Sequence, residues 1–102
     1  MAAVSRLSPP PTLTLFTRPG CHLCDDARAR LDALLAERVA AGRGMVAVVE
    51  VDIEADATLL ARHHDTIPVL ASGSEELPLA MRPDALRAFL ARVLDGAEAT
   101  RA

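Results

Sequence analysis

Between Thr12 and Phe16 the chain alternates polar and apolar residues, Thr-Leu-Thr-Leu-Phe, the period of a strand with one face covered. Arg18-Pro19-Gly20 breaks that pattern. From about His22 to Ala40 the period changes: Leu23, Ala27, Leu31, Leu34, Leu35 and Val39 recur at three- and four-residue spacing, which predicts one helix with a single apolar stripe. Gly42 and Gly44 are placed to end it, because glycine accepts the left-handed backbone of a helix C-terminus. Met45 to Val51 is almost wholly apolar and rich in β-branched residues, the pattern of a strand covered on both faces. Asp52 to Asp56 is acidic and suits a helix start, and Leu59, Leu60 and His63 predict a short second helix ending near His64. Ile67-Pro68-Val69-Leu70-Ala71 reads as a third strand, Ser72 to Glu76 as a turn around Gly73, and Leu77-Pro78-Leu79-Ala80 as a fourth strand. Pro78 has no amide to give to a ladder, so the fourth strand is expected on an edge. Pro83 suits a first helical turn, Leu86, Phe89, Leu90, Val93 and Leu94 form the stripe of a last helix, and Gly96 caps it.

The resulting order, β-α-β-α-β-β-α, predicts an α/β domain: a four-stranded mixed sheet with helices on both faces, opened by a right-handed βαβ unit. The domain is expected over residues 12–96. Residues 1–11 end in Ser8-Pro9-Pro10-Pro11 and read as an extended, Pro-rich tail, and residues 97–102 as a second tail.

Composition narrows the function classes. The chain has 102 residues, 51% of them hydrophobic, enough for one packed core. Phe16 and Phe89 are its two aromatics, too few for the stacking platforms that single-stranded nucleic acid needs. All 11 basic residues are arginines, dispersed in a chain of net charge −3, which excludes a basic footprint for nucleic acid or anionic lipid. No apolar run reaches the roughly 18 residues that span a bilayer, and Met1 to Pro11 holds no apolar stretch of the secretory kind. A cytoplasmic, reducing location is therefore expected, and there a close cysteine pair points to redox chemistry or metal binding, not to a structural staple.

That pair is Cys21-His22-Leu23-Cys24, at the corner where the first strand gives way to the first helix. In a first helical turn, side chains at i and i+3 share a face, so the two sulfurs can bond. The reacting species is a thiolate, which the unpaired N–H groups and positive dipole end of a helix N-terminus favour. Asp25 and Asp26 oppose this, so a moderately acidic Cys21 is expected, with Cys24, one turn in and more covered, closing the disulfide. C-x-x-C at such a corner of a βαβ unit is the redox placement of this motif.

The stretch Leu13-Thr14-Leu15-Phe16-Thr17-Arg18-Pro19-Gly20-Cys21-His22-Leu23-Cys24, joined by Val51-Asp52-Ile53 and Thr66-Ile67-Pro68-Val69-Leu70, resembles the glutaredoxin-like family of the thioredoxin superfamily, over about residues 12–95. The resemblance implies Cys21 as nucleophile, Cys24 as resolving cysteine, and a cis Ile67-Pro68 bond facing them. It further implies that Thr66, Ile67 and Pro68 offer backbone to an extended substrate, and that Arg18 receives a carboxylate. The chain also departs from the family pattern. His22-Leu23 stands where glutaredoxins carry Pro-Tyr, and Ala80-Met81-Arg82-Pro83 stands where a Gly-Gly-x-Asp stretch holds glutathione's carboxylate on backbone amides. Pro83 has no amide, which leaves glutathione open as a co-substrate, with Arg82 a partial substitute.

The remaining constellations weigh less. His22, His63 and His64 with the cysteines are a zinc candidate without the usual second spaced pair. Adjacent His63 and His64 on a helix point about 100° apart and read as helix-end residues. An iron–sulfur cluster shared across a dimer is the better form of that idea. Cys24 to Arg30 fits the Cys-x5-Arg spacing of phosphate loops, but Asp25-Asp26 would repel a phosphate. Arg28, Arg38 and Arg92 read as a solvated face with Asp32 and Glu37 nearby, and Glu75-Glu76 as turn solubility. The expectation is a monomeric dithiol oxidoreductase acting on protein or low-molecular-weight disulfides. Its partner would be a protein disulfide substrate or a reductase, with no bound cofactor or metal. A metal- or cluster-holding or partner-docking module of the same fold is the alternative.

Overall fold

A computed structural model describes residues 10–96, so the expected tails lie almost wholly outside the described residues. Strand β1 (Thr12–Thr17) leads into helix α1 (His22–Ala40), then strand β2 (Ala47–Asp52). A 3-10 turn (Ile53–Ala55), helix α2 (Ala57–His63), strands β3 (Val69–Ser72) and β4 (Glu75–Leu77), and helix α3 (Pro83–Asp95) complete the chain. The four strands form one mixed sheet in the order β2-β1-β3-β4. β1 runs parallel to β2 and antiparallel to β3, and β3 runs antiparallel to β4.

Strand alternation assigns the two faces. Leu13 and Leu15 point to one side of β1 and are fully buried with Leu31 and Leu34 of α1, Leu70 of β3, and Leu86, Phe89 and Leu90 of α3. Burial of each such side chain contributes about 1.5–3 kcal/mol. Phe16 points to the other side and stacks on His63 of α2, with ring centroids 4.6 Å apart. Helices thus cover both faces, as the sequence pattern predicts.

The helix boundaries follow local chemistry. α1 ends in a Schellman arrangement. Gly42, at φ +81°, donates to the Val39 carbonyl (2.9 Å), and Arg43 donates to that of Arg38 (2.9 Å). Asp56 caps α2 by accepting from the Thr58 and Leu59 amides at 2.8 and 3.1 Å. Pro83 occupies the first turn of α3, where its missing N–H costs nothing.

Four sequence expectations are corrected. β2 is not covered on both faces: it is an edge strand with a neighbour on one side, and Val49 and Met45 are exposed. On α1 the buried stripe is Cys24, Ala27, Leu31 and Leu34, while Leu23 and Val39 are exposed because they lie off the arc that meets the sheet. The third strand begins at Val69, since Pro68 has no amide for a ladder. The fourth strand is Glu75–Leu77, closed by a two-residue Gly73-Ser74 turn, and it stops before Pro78 for the same reason.

Candidate active site

β1 ends at Thr17, and Arg18-Pro19-Gly20 turns the chain with Gly20 at φ +72°. Cys21 follows in extended conformation as the N-cap of α1. Its Sγ does what a serine or aspartate oxygen does at most helix starts: it accepts the Cys24 N–H, at 3.1 Å. The Cys21 carbonyl accepts the Asp25 N–H, also at 3.1 Å, as the first helical bond. A disulfide joins Cys21 to Cys24 across a Cα separation of 5.2 Å. The two sulfur-bearing residues are not equivalent, for Cys21 is half-buried whereas Cys24 is only 3% exposed.

A cleft beside this corner is lined by Cys24 together with Arg18, Asp25, Glu50 and Asp52. Arg18 in that lining, and Arg28 beside it through Glu50, are both engaged. Arg18 donates to Glu54 through Nε (3.0 Å) and Nη2 (2.7 Å). Arg28 holds Asp32 at 2.9 Å and Glu50 at 2.8 Å, and the Asp32 hydrogen bond foremost raises its pKa further, opposed by partial burial. A separate groove between α1 and α3, lined by Leu34, Glu37, Arg38, Arg87 and Leu90, lies well down α1 from the cysteines.

The third part of the corner is Thr66-Ile67-Pro68. Thr66 is pinned to α2, its N–H donating to the His63 carbonyl at 2.9 Å. The Ile67-Pro68 peptide bond is cis and Pro68 is fully buried. The carbonyls of Thr66 and Pro68 are taken by the N–H groups of Leu79 (2.9 Å) and Ala80 (2.8 Å). Among the described residues none pairs with the backbone of Ile67. Because β3 is registered with Phe16 opposite Val69, Pro68 and Ile67 fall beside Thr17 and Arg18, at the end of β1 from which Cys21 departs. Arg18, Cys21, Cys24, Thr66, Ile67 and Pro68 thus share one end of the sheet. Arg82, offered above as a substitute for an amide cradle, is the N-cap of α3 and is paired with Asp84 at 2.9 Å.

Three residues escaped the sequence reading. Glu54 is the partner of Arg18, 36 positions away, and no local pattern announces it. His63, expected as a helix-end residue, is buried; its Nε2 has no hydrogen-bond partner among the described residues and lies 4.0 Å from Glu76 Oε2. Leu79 adopts φ +51°, unusual for a residue with a side chain. Among the described residues no three His, Cys, Asp or Glu side chains are grouped to hold a metal ion, and no helix is long and apolar enough to cross a membrane.

Comparison with known proteins agrees with this geometry. The sequence pattern of the glutaredoxin-like domain (DUF836) matches residues 12–91. A structural genomics target protein from X. campestris is 34% identical, with a TM-score of 0.57 over 76% of this chain and 93% of that one. The germline-specific thioredoxin Deadhead from Drosophila melanogaster superposes with a TM-score of 0.54 at 14% identity, covering 90% of this chain and 89% of its own. Fasciola hepatica thioredoxin does so with a TM-score of 0.51 at 16% identity, covering 90% and 88%. At such identities these two thioredoxins speak for the fold alone. No curated protein sequence matches the chain. A profile match over most of the chain, on a thioredoxin-like fold with the cysteine pair at its strand-to-helix corner, makes this chain a member of the glutaredoxin-like family of the thioredoxin superfamily.

Proposed function

We propose that the protein is a thiol–disulfide oxidoreductase that works by a dithiol cycle on protein disulfides, in the cytoplasm. The observation that carries this reading is the inequality of the pair: Cys21 is half-buried, its sulfur accepting a helix amide, and Cys24 is covered but within bonding distance. In the reduced protein, the Cys21 thiolate attacks one sulfur of a substrate disulfide. A Cys21–substrate disulfide forms, the substrate bond breaks, and the departing sulfur leaves as a thiolate that takes up a proton. The Cys24 thiolate then attacks Cys21 Sγ, releasing the second substrate thiol and closing the Cys21–Cys24 bond. The substrate gains the two electrons that the protein loses, and an external thiol or reductase restores the dithiol.

The unpaired backbone of Ile67 supports strand-like pairing with an extended substrate beside Cys21. A protein substrate is favoured over glutathione because Arg18 and Arg82 are both engaged with carboxylates and Pro83 lacks an amide. The metal-holding alternative lacks a third ligand beside the pair among the described residues. The test is reduction of a protein disulfide such as insulin. Cys21→Ala is expected to abolish turnover, and Cys24→Ser to accumulate a covalent Cys21 adduct visible by mass. Turnover that survives Cys21→Ala overturns the proposal.

A further inference from the structure

His63 is a buried titratable side chain that the proposed chemistry does not use. It ends α2 and is only 3% exposed. Its ring stacks on Phe16 of β1, with centroids 4.6 Å apart and planes 22° from parallel. Nε2 is buried without a hydrogen-bond partner among the described residues, 4.0 Å from Oε2 of Glu76 on β4. A charge-assisted hydrogen bond runs at about 2.7–2.9 Å, so the two groups face each other just beyond bonding distance. A buried polar nitrogen left unpaired costs free energy, and this one needs a proton to gain the carboxylate as its partner.

The other charged groups around the ring are turned elsewhere. On β4, Glu75 reaches Arg92 at 3.5 Å. On the 3-10 turn that packs against α2, Glu54 is held by Arg18, while Asp52 and Asp56 accept backbone amides at its two ends. β1 is uncharged from Thr12 to Thr17. On α2, Arg62 Nη2 holds the same Glu76 oxygen at 2.9 Å, and His64 and Asp65 beyond the helix are exposed. A carboxylate oxygen accepts more than one donor, so Arg62 and a protonated His63 can share it.

His63 also carries the segment beside the cysteines. Its carbonyl accepts the Thr66 N–H at 2.9 Å and the Thr66 hydroxyl at 3.4 Å, and Thr66 leads into Ile67 and its cis bond to Pro68. We infer that His63 and Glu76 form a proton-operated clamp on the Thr66-Ile67-Pro68 segment. Protonation makes Nε2 a charged donor and closes it onto Glu76, which lies opposite Ala71 in the β3–β4 ladder. The end of α2 is then tied to the sheet, and Thr66 with it. Loss of the proton reopens the gap and releases that tie. Resting on the thiol-exchange reading above, the clamp sets how firmly the Ile67 backbone is presented to a substrate, more firmly as pH falls.

The test uses the oxidised protein, whose joined cysteines do not titrate. Hydrogen exchange of the Thr66 amide, corrected for the pH dependence of exchange in free peptides, is measured by NMR at about pH 5 and about pH 8, the ends of the range in which imidazole ordinarily changes charge. Protection is expected to be several-fold higher at the acid end. His63→Phe, which keeps an aromatic ring against Phe16, and Glu76→Gln should each remove the difference, and His64→Gln should keep it, with melting temperatures at both pH values confirming that each variant is folded. Equal protection at the two pH values in the unaltered protein overturns the clamp. So does a difference that survives both His63→Phe and Glu76→Gln, or one that His64→Gln removes. The measurement involves no turnover, so its failure leaves the exchange chemistry standing, and a failure to reduce insulin leaves the clamp standing. In the reduced protein, KM for insulin should fall several-fold toward the acid end and stay level in Glu76→Gln; the same KM profile in both proteins overturns the clamp's part in substrate binding.

Discussion

Asp95 ties the end of α3 to α1: its carboxylate accepts from Arg38 at 2.7 and 3.0 Å and from Arg43 at 3.0 Å. The Arg38 hydrogen bonds foremost, then the Arg38 and Arg43 charges, outweigh partial burial and hold its carboxyl below the usual carboxylate range. A carboxyl depressed in the folded state contributes stability above its unfolded pKa and loses it as pH falls through the folded one. Asp95→Asn is therefore expected to lower stability at neutral pH and to flatten the acid decline. Urea midpoints at about pH 7 and about pH 3 check this; parallel declines in the two proteins would show that the pairing is not coupled to folding. Leu79 and Glu54 belong to the same scale. Each acts through one backbone angle or one distant partner, and neither leaves a trace in residue spacing.

At the scale of elements, α1 carries most of the design. Its N-terminus is capped by the same sulfur that is proposed to react, so the start of the helix and the position of the site are one feature. Its C-terminus depends on Gly42, whose φ of +81° strains any residue with a β-carbon. Gly42→Ala is expected to cost about 1–2 kcal/mol, read as a lowered melting temperature with the cysteine chemistry intact; an unchanged melting temperature would contradict the assigned helix end. The elements were legible to different degrees. His22–Ala40 is read directly from spacing because a long helix repeats its signal over many turns. The β2 pattern misled, because a β-branched run looks the same in a central strand and in a parallel edge strand, and only the sheet order distinguishes them. Strand ends near Pro68 and Pro78 moved by a residue or more, set by which amides were present to pair.

For the whole molecule, the mixed sheet brings the end of β1, the start of α1 and the segment before β3 to one place. The Arg18–Glu54 pair is exposed and contributes about 0–1 kcal/mol. If it competes with a glutathione carboxylate, Glu54→Gln should lower KM for glutathione disulfide by no more than about fivefold. A larger drop would identify Arg18 as the principal barrier to glutathione, and no drop would place the barrier elsewhere, at Pro83 above all. The C-x-x-C pair, its strand-to-helix corner, the order of elements and the apolar stripe of α3 were determined by sequence alone. Each is a local matter of residue type and period, written within a few turns of chain. The tertiary structure alone decided that β2 lies at an edge, that Arg18 is engaged, that His63 is buried against Phe16, and that the amides of Leu79 and Ala80 take the carbonyls of Thr66 and Pro68. Those facts depend on which distant segments become neighbours, and contacts across tens of residues have no period for a sequence to display.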